Sequence, residues 1–202
     1  MTAPATPTVL RVPTLALLPV YAAALERGWT PDNVRGLPAN REALARIAED
    51  PEGFIALTDN RAGGGPPVTL ADGSQVERVP SLQRWIWDAA DDGPAGFVGL
   101  INLRWNHGHA PLPPHVLGHV GYSLVPWQRR RGHGTRALAL LLPLARSLGM
   151  GHVELTTDPD NVPSQKVITA NGGVLLGAFD KGAVYGHSPG LRYRIELDTV
   201  AA

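Results

Sequence analysis

The chain lacks cysteine altogether, has two methionines and carries no net charge, 18 basic residues balancing 18 acidic ones over 202 positions. Without cysteine there is no disulfide framework, no thiolate zinc site and no thiol nucleophile. Without a basic surplus the chain is poorly suited to nucleic-acid phosphates or an anionic membrane surface, since both require one. Long apolar runs are missing too. The longest, Ala137–Leu142, falls far short of the ~20 residues of a membrane-spanning helix. The opening residues, MTAPATPTVL, lack the basic and apolar regions of a signal peptide, so the expectation is a cytoplasmic protein with no membrane attachment.

What is present is a folding composition: 44% hydrophobic and 18% charged residues, with 23 glycines and 19 prolines. Such a chain buries a core and connects its elements through many turns. The length suits one domain with room for an insertion. Lysine occurs only at positions 166 and 181, so nearly all basic residues are arginine. Arginine suits bidentate phosphate recognition, but the bias is spread along the whole chain and reads first as codon usage.

The periodicity predicts an α+β domain with a mixed, mostly antiparallel sheet. Residues 1–8 read as a tail and Val9–Val12 as a short strand. Thr14–Arg27 reads as a helix stopped by Gly28. Asn40–Glu49 reads as a helix with Asn40 as its cap, closed by Pro51–Gly53. The segment 54–80 reads as an insertion carrying a small hairpin, Val68–Leu70 and Gln75–Val79 flanking Asp72-Gly73. Strands follow at Leu82–Asp88, Gly96–Trp105 and Gly118–Val125. Gly132–Leu148 is predicted as a helix, with Leu138, Leu141, Leu142, Ala145 and Leu148 on one stripe and Pro143 expected to kink it. His152–Thr157 is the next strand and Asn161–Ala170 the next helix, stopped by Asn171-Gly172-Gly173. Strands at Val174–Phe179 and Leu191–Leu197 close the chain.

The informative stretch runs from Gly121 to Thr135, GYSLVPWQRRRGHGT, a strand leading through a turn into a helix. Gly132 and Gly134 let the backbone approach a ligand and present its N–H groups. The first helical turn adds unpaired donors and a favourable dipole. Arg129, Arg130 and Arg131 place three positive charges beside them. Together they form a diphosphate cradle. The spacing is not that of a P-loop, because Thr135 follows a glycine rather than a lysine, and it lacks the third glycine of a dinucleotide fingerprint.

Arg129-x-x-Gly132-x-Gly134 resembles the acetyl-CoA pyrophosphate loop of the GNAT N-acetyltransferases. Downstream, Asp160-Asn-Val-Pro-Ser-Gln-Lys-Val-Ile-Thr-Ala-Asn-Gly-Gly173 resembles that superfamily's next helix. Gly118-His-Val-Gly-Tyr122 is similar to the GHIGY of a largely uncharacterised bacterial branch. The resemblance is specific over about residues 82–197. It implies the GNAT fold, with strand 118–125 splaying from strand 152–157 to admit pantetheine. It implies that the backbone of Leu124 and Val125 pairs with the cofactor's amides. The amides from Arg130 through Arg131, Gly132, His133 and Gly134 to Thr135 would hold its pyrophosphate, and Asn161 and Ser164 would face the pantetheine arm. The implied reaction is direct attack of a primary amine, on a small molecule or a peptide, on the acetyl-CoA thioester, with no metal. Relatives commonly dimerise, so a homodimer is allowed. A non-catalytic acyl-CoA-binding module of the same fold is the alternative, motivated by one departure: many relatives carry a tyrosine as thiolate acid where this chain has Ile168. The usual closing Gly-Phe is here Gly172-Gly173. Ser164, Tyr122, water or no acid at all then serves the leaving thiolate.

Several side chains carry two readings. His119 lies mid-strand, either as a hydrogen-bonded strand histidine or as the general base for the amine, titrating near pH 6 to 7. Asn161 and Ser164 serve the helix start, the cofactor, or both. Trp85, Trp87 and Trp105 fill the core on one face and line the acceptor site on the other. Arg104 either lies on the surface or holds an acceptor carboxylate. His107, His109, His115 and His119 lack nearby carboxylates and make a poor metal set.

Overall fold

A computed structural model of the chain describes residues 7–32, 34–70, 72–109 and 111–197. Its elements in order are β1 (Thr8–Arg11), α1 (Leu18–Glu26), α2 (Leu37–Glu49), α3 (Pro51–Ala56), β2 (Asp59–Asn60), β3 (Val68–Thr69), β4 (Gln75–Val76), β5 (Ser81–Asp88), β6 (Phe97–Arg104), β7 (Val120–Leu124), α4 (His133–Ser147), β8 (His152–Thr157), α5 (Val162–Thr169), β9 (Val174–Asp180) and β10 (Pro189–Glu196). Strands β1, β5, β6 and β7 lie side by side in that order, with β2 also on β5. A second sheet runs β8-β10-β9, and β3 pairs with β4. Strands β7 and β8 thus belong to different sheets. The mixed α/β architecture, mostly antiparallel with flanking helices, is the one the sequence predicts.

The chain forms two compact units. The first comprises Met1–Arg61, Ser81–Asn102 and Tyr122–Ala137. Its core is aromatic. Tyr21 stacks on Trp85 at 5.1 Å between ring centroids, and Phe97 stands edge-on to Trp29 at 5.5 Å and to Trp87 at 5.7 Å. Trp85 and Trp87 are fully enclosed. Such rings bury much apolar area, and edge-on and offset pairs add about 0.5–1.5 kcal/mol each. The end of α1 follows from its sequence: Gly28 takes φ +92°, and the N–H groups of Gly28 and Trp29 turn back to Leu25 and Ala24.

The second unit comprises Ala62–Pro80, Leu103–Gly121 and Leu138–Ala202. Strand β10 lies between β8 and β9, pairing antiparallel with both, Tyr193 opposite Leu155 on one side and Leu175 on the other. The hairpin is present but short, Val68 opposite Val76 and Thr69 opposite Gln75.

The structure corrects several local expectations. Asn40 does not cap α2, which begins three residues earlier behind Gly36, with Pro38 in its first turn. It is buried instead, and its Nδ2 donates to the carbonyls of Leu25 and Trp29, satisfying the last turn of α1. Pro51–Gly53 does not merely close α2. Asp50 accepts from the Gly53 N–H at 2.8 Å and starts α3, with proline in the first turn. The expected tail at 1–8 lies mostly outside the described residues, and Thr8 already belongs to β1. Helix α4 continues through Pro143.

Gly99 sits where β6 approaches β7 closely. It has φ +145°, and a Cβ there would lie 2.1 Å from the Ser123 carbonyl oxygen. Gly99→Ala is therefore expected to destabilise the protein by at least about 2 kcal/mol, through overpacking and backbone strain together. Urea unfolding measures this, and an unchanged midpoint contradicts the close approach.

Candidate functional site

The site begins where β7 ends. Val125 is extended, Pro126–Gln128 form a single 3-10 turn, and the chain then passes through residues 129–132 into α4. Arg130 has φ +63° and Gly132 φ +76°. A left-handed arginine is an uncommon and strained choice. Turns that aim successive N–H groups toward a common side are the arrangement that binds anions. Among the described residues, the N–H groups of Arg130, Arg131, Gly132, His133 and Gly134 donate to no protein acceptor. Arg129, Arg130, Arg131 and Gly132 are exposed, whereas His133 and Gly134 are buried. The result is a row of free donors at a helix N-terminus with arginines beside it.

Two residues the sequence reading did not single out hold this loop. The Arg136 guanidinium donates from Nε to the Thr8 hydroxyl at 2.8 Å and from Nη2 to the Arg131 carbonyl at 2.6 Å. The Thr8 hydroxyl also lies within hydrogen-bond distance of His133 Nδ1, at 2.9 Å. The other ring nitrogen, Nε2, is buried, 3.9 Å from Asp88. Burial lowers the pKa of this imidazole below its ordinary value, against the pull of Asp88. Its ring is a buttress rather than a ligand, and only its backbone N–H faces the row of donors. A signal for Arg136 was present in the sequence: a cation in the first turn of a helix opposes the dipole and needs another reason to be there. Thr8, 125 residues from His133, gave none.

Val125 does not meet its expectation. Its N–H donates to the Val98 carbonyl at 2.9 Å, and its side chain is fully buried, so that N–H is not available to a ligand. By the alternation of an antiparallel ladder, Leu124 turns its backbone groups to the edge of β7 away from β6. Its carbonyl accepts from Arg129 Nε at 3.1 Å.

His119 occupies a different setting from the one its sequence suggested. The Glu154 N–H donates to its Nδ1 at 2.9 Å, and the His119 N–H donates to the Glu154 carbonyl at 2.8 Å. The lone pair on Nδ1 is therefore engaged and the proton sits on Nε2. Burial, with His152 adding repulsion, pushes the pKa down to about 4. A neutral imidazole without a free lone pair donates and does not accept. The expected general base at pH 6 to 7 is corrected on this geometry. Glu154 does not replace it. Burial alone would raise its pKa, yet bonds from Arg194 at 2.7 Å and Arg192 at 3.4 Å hold it below the ordinary value.

Asn161 is the N-cap of α5, its side chain accepting from the Ser164 N–H at 3.1 Å. Ser164 is partly exposed in that first turn. Trp85 belongs to the aromatic core and has no exposed surface for an acceptor. Trp105 is partly exposed, with its N–H bonded to the Pro80 carbonyl at 3.0 Å. The Arg104 N–H bonds to the His119 carbonyl at 2.7 Å, and its Nε is buried without a partner. His107 Nε2 lies 3.1 Å from the Ala62 carbonyl.

A row of N–H groups without protein acceptors at the start of a helix is an arrangement that suits an anion. The model of the acetyltransferase (GNAT) domain matches residues 34–174. The chain belongs to the GNAT acetyltransferase family. Its fold is similar to that of RimL, a ribosomal L7/L12 α-N-protein acetyltransferase in complex with coenzyme A, with TM-score 0.64, 14% identity and coverage of 97% of this chain and 98% of that one. It is similar to Mycobacterium smegmatis RimJ in complex with CoA-disulfide, with TM-score 0.61, 18% identity and coverage of 98% and 90%. A third is the ribosomal-protein-S5-alanine acetyltransferase from Vibrio fischeri, with TM-score 0.60, 16% identity and coverage of 96% of both chains. No curated protein matches the sequence.

The His119 geometry has a pH consequence. Its ordinary pKa of 6.5 falls to about 4 in the folded protein, so the unfolded chain binds the proton first. The stability this neutral histidine contributes is complete above pH 6.5 and is lost as the pH falls through about 4. His119→Gln, which still offers an acceptor to the Glu154 N–H, is expected to flatten the stability profile between these values. Denaturant titrations at stepped pH measure it, and an unchanged slope contradicts the assignment.

Proposed function

We propose that this protein transfers acetyl from acetyl-CoA to a primary amine by direct attack on the thioester. The observation that carries the reading is the row of free N–H groups from Arg130 to Gly134 at the start of α4, flanked by three exposed arginines. Those amides, with that of Thr135, take the pyrophosphate, and Arg129, Arg130 and Arg131 neutralise its charge. Leu124 offers its backbone edge to the pantetheine amides. Asn161 and Ser164 are proposed for the pantetheine arm on the resemblance alone.

Direct attack needs a neutral amine, donors for the tetrahedral oxyanion and a proton for the leaving thiolate. With His119 engaged at Nδ1 and Glu154 held by two guanidiniums, neither is proposed as the base. The amine enters unprotonated or loses its proton to water. Ile168, where many relatives carry the tyrosine acid, is buried at 1% exposure, so the thiolate takes its proton from Ser164, Tyr122 or water. That same isoleucine favours the second reading, a non-catalytic acyl-CoA-binding module.

Two measurements test the proposal. Acetyl-CoA at about 100 times its dissociation constant is expected to stabilise the protein by roughly 2.7 kcal/mol. Gly134→Asp, which puts a negative charge among the free N–H groups, is expected to abolish that stabilisation. The helix dipole favours the new carboxylate, and circular dichroism of the ligand-free variant verifies that it keeps its fold. An unchanged shift in the variant moves the cofactor elsewhere. Steady release of free CoA with an amine supports the enzyme, and tight binding without turnover across a broad amine panel supports the module.

A further inference from the structure

The second unit holds a cluster of donors with too few acids to match. Arg192 and Arg194 both reach Glu154, and Arg192 also lies over the Phe179 ring at 4.6 Å. Glu196 adds a further negative charge beside Arg194. Arg104 has no such partner. Among the described residues no carboxylate pairs with it, its Nε is wholly enclosed without an acceptor, and burial pulls its guanidinium below the ordinary pKa against a smaller pull from Tyr185. The Tyr185 hydroxyl donates to the His115 carbonyl at 2.7 Å. The sequence explains the shortage: no Asp or Glu occurs between Asp92 and Glu154.

A half-buried guanidinium that meets no counter-charge, with one N–H enclosed and unpartnered, suits an anion supplied by a ligand. The neighbouring groups agree. Arg104 and His119 are joined through their backbones, the Arg104 N–H on the His119 carbonyl. Because the Glu154 N–H occupies Nδ1, His119 presents Nε2–H, a donor. The His152 ring stands edge-on to His119 at 5.7 Å. The charged groups acting on His119 are His152, Glu154, Arg104 and Arg194, and Glu154 is already taken. Guanidinium and imidazole N–H together form a two-donor receptor for an oxyanion.

We infer that the acceptor amine carries a carboxylate, and that Arg104, with His119 Nε2–H, binds it. This rests on the acetyl-transfer reading, which it deepens by naming the substrate class. The carboxylate comes either from the amino acid that bears the amine or from an acidic residue next to it in a peptide. His119 then acts in specificity rather than as a base.

The test uses matched pairs that differ only in the carboxylate. Alanine against alaninamide, compared per unprotonated amine because amidation makes the ammonium more acidic, probes an α-carboxylate, and Ala-Asp-amide against Ala-Asn-amide probes an acidic neighbour, both read as CoA release. The acid of at least one pair is expected to exceed its neutral partner in kcat/KM by about tenfold to a hundredfold, the worth of a charged hydrogen bond. Arg104→Gln is expected to erase that difference mainly through KM, and Arg104→Lys to restore part of it. Equal stabilisation of both variants by acetyl-CoA verifies their fold. Equal rates within both pairs in the wild type, or a preference that survives Arg104→Gln, overturn the inference while leaving acetyl transfer intact. A binding arm separates the two failures: thermal stabilisation by N-acetylalanine over N-acetylalaninamide, or by acetyl-Ala-Asp-amide over acetyl-Ala-Asn-amide, lost in Arg104→Gln. If no amine turns over, a positive result in this arm supports the anion site, and equal stabilisation rejects it.

Discussion

Five consecutive backbone N–H groups, from Arg130 to Gly134, must stay unpaired while everything around them folds. Unpaired donors are normally satisfied in a native protein, so the surrounding structure has to hold the loop open. Here the restraint is the pair of hydrogen bonds from Arg136 to the Thr8 hydroxyl and the Arg131 carbonyl, together with the bond between the Thr8 hydroxyl and His133. Thr8 is fixed in turn by the pairing of β1 with β5, where it lies opposite Asp88. The strained φ of Arg130 is stored in this frame. A first strand far away in the sequence thus sets the shape of the anion-binding turn.

This dependence shows what was legible beforehand. The turn, the helix after it and the strand before it could be read because glycine, arginine and apolar spacing act locally. Strand β8 was read with its observed bounds, His152–Thr157, because alternation and flanking breakers coincide there. Asn40 was misread because a short polar side chain before a helix resembles a cap, and only the packing of α2 against the end of α1 gives it another task. Helix α3 was missed because six residues are too few to establish a period.

His119 illustrates the same boundary at the level of chemistry. Its place on a strand leading to the cofactor turn was readable, and an imidazole there suggests a base. Which nitrogen carries the proton was not readable, because that depends on Glu154, 35 residues away and on another strand. One backbone N–H turns the ring from an acceptor into a donor. Trp85 makes a parallel case: its strand was correct, but its burial depends on Tyr21, from a helix more than sixty residues earlier.

The central claim is that the N–H groups of Arg130 to Gly134 hold the cofactor's diphosphate. The most direct measurement is the amide proton–nitrogen spectrum of the protein titrated with coenzyme A. The account predicts large downfield proton shifts at Arg130, Arg131, Gly132, His133 and Gly134, saturating together with binding, because each N–H acquires a charged acceptor it lacked. Saturable binding of coenzyme A that leaves those five amides unmoved would contradict it.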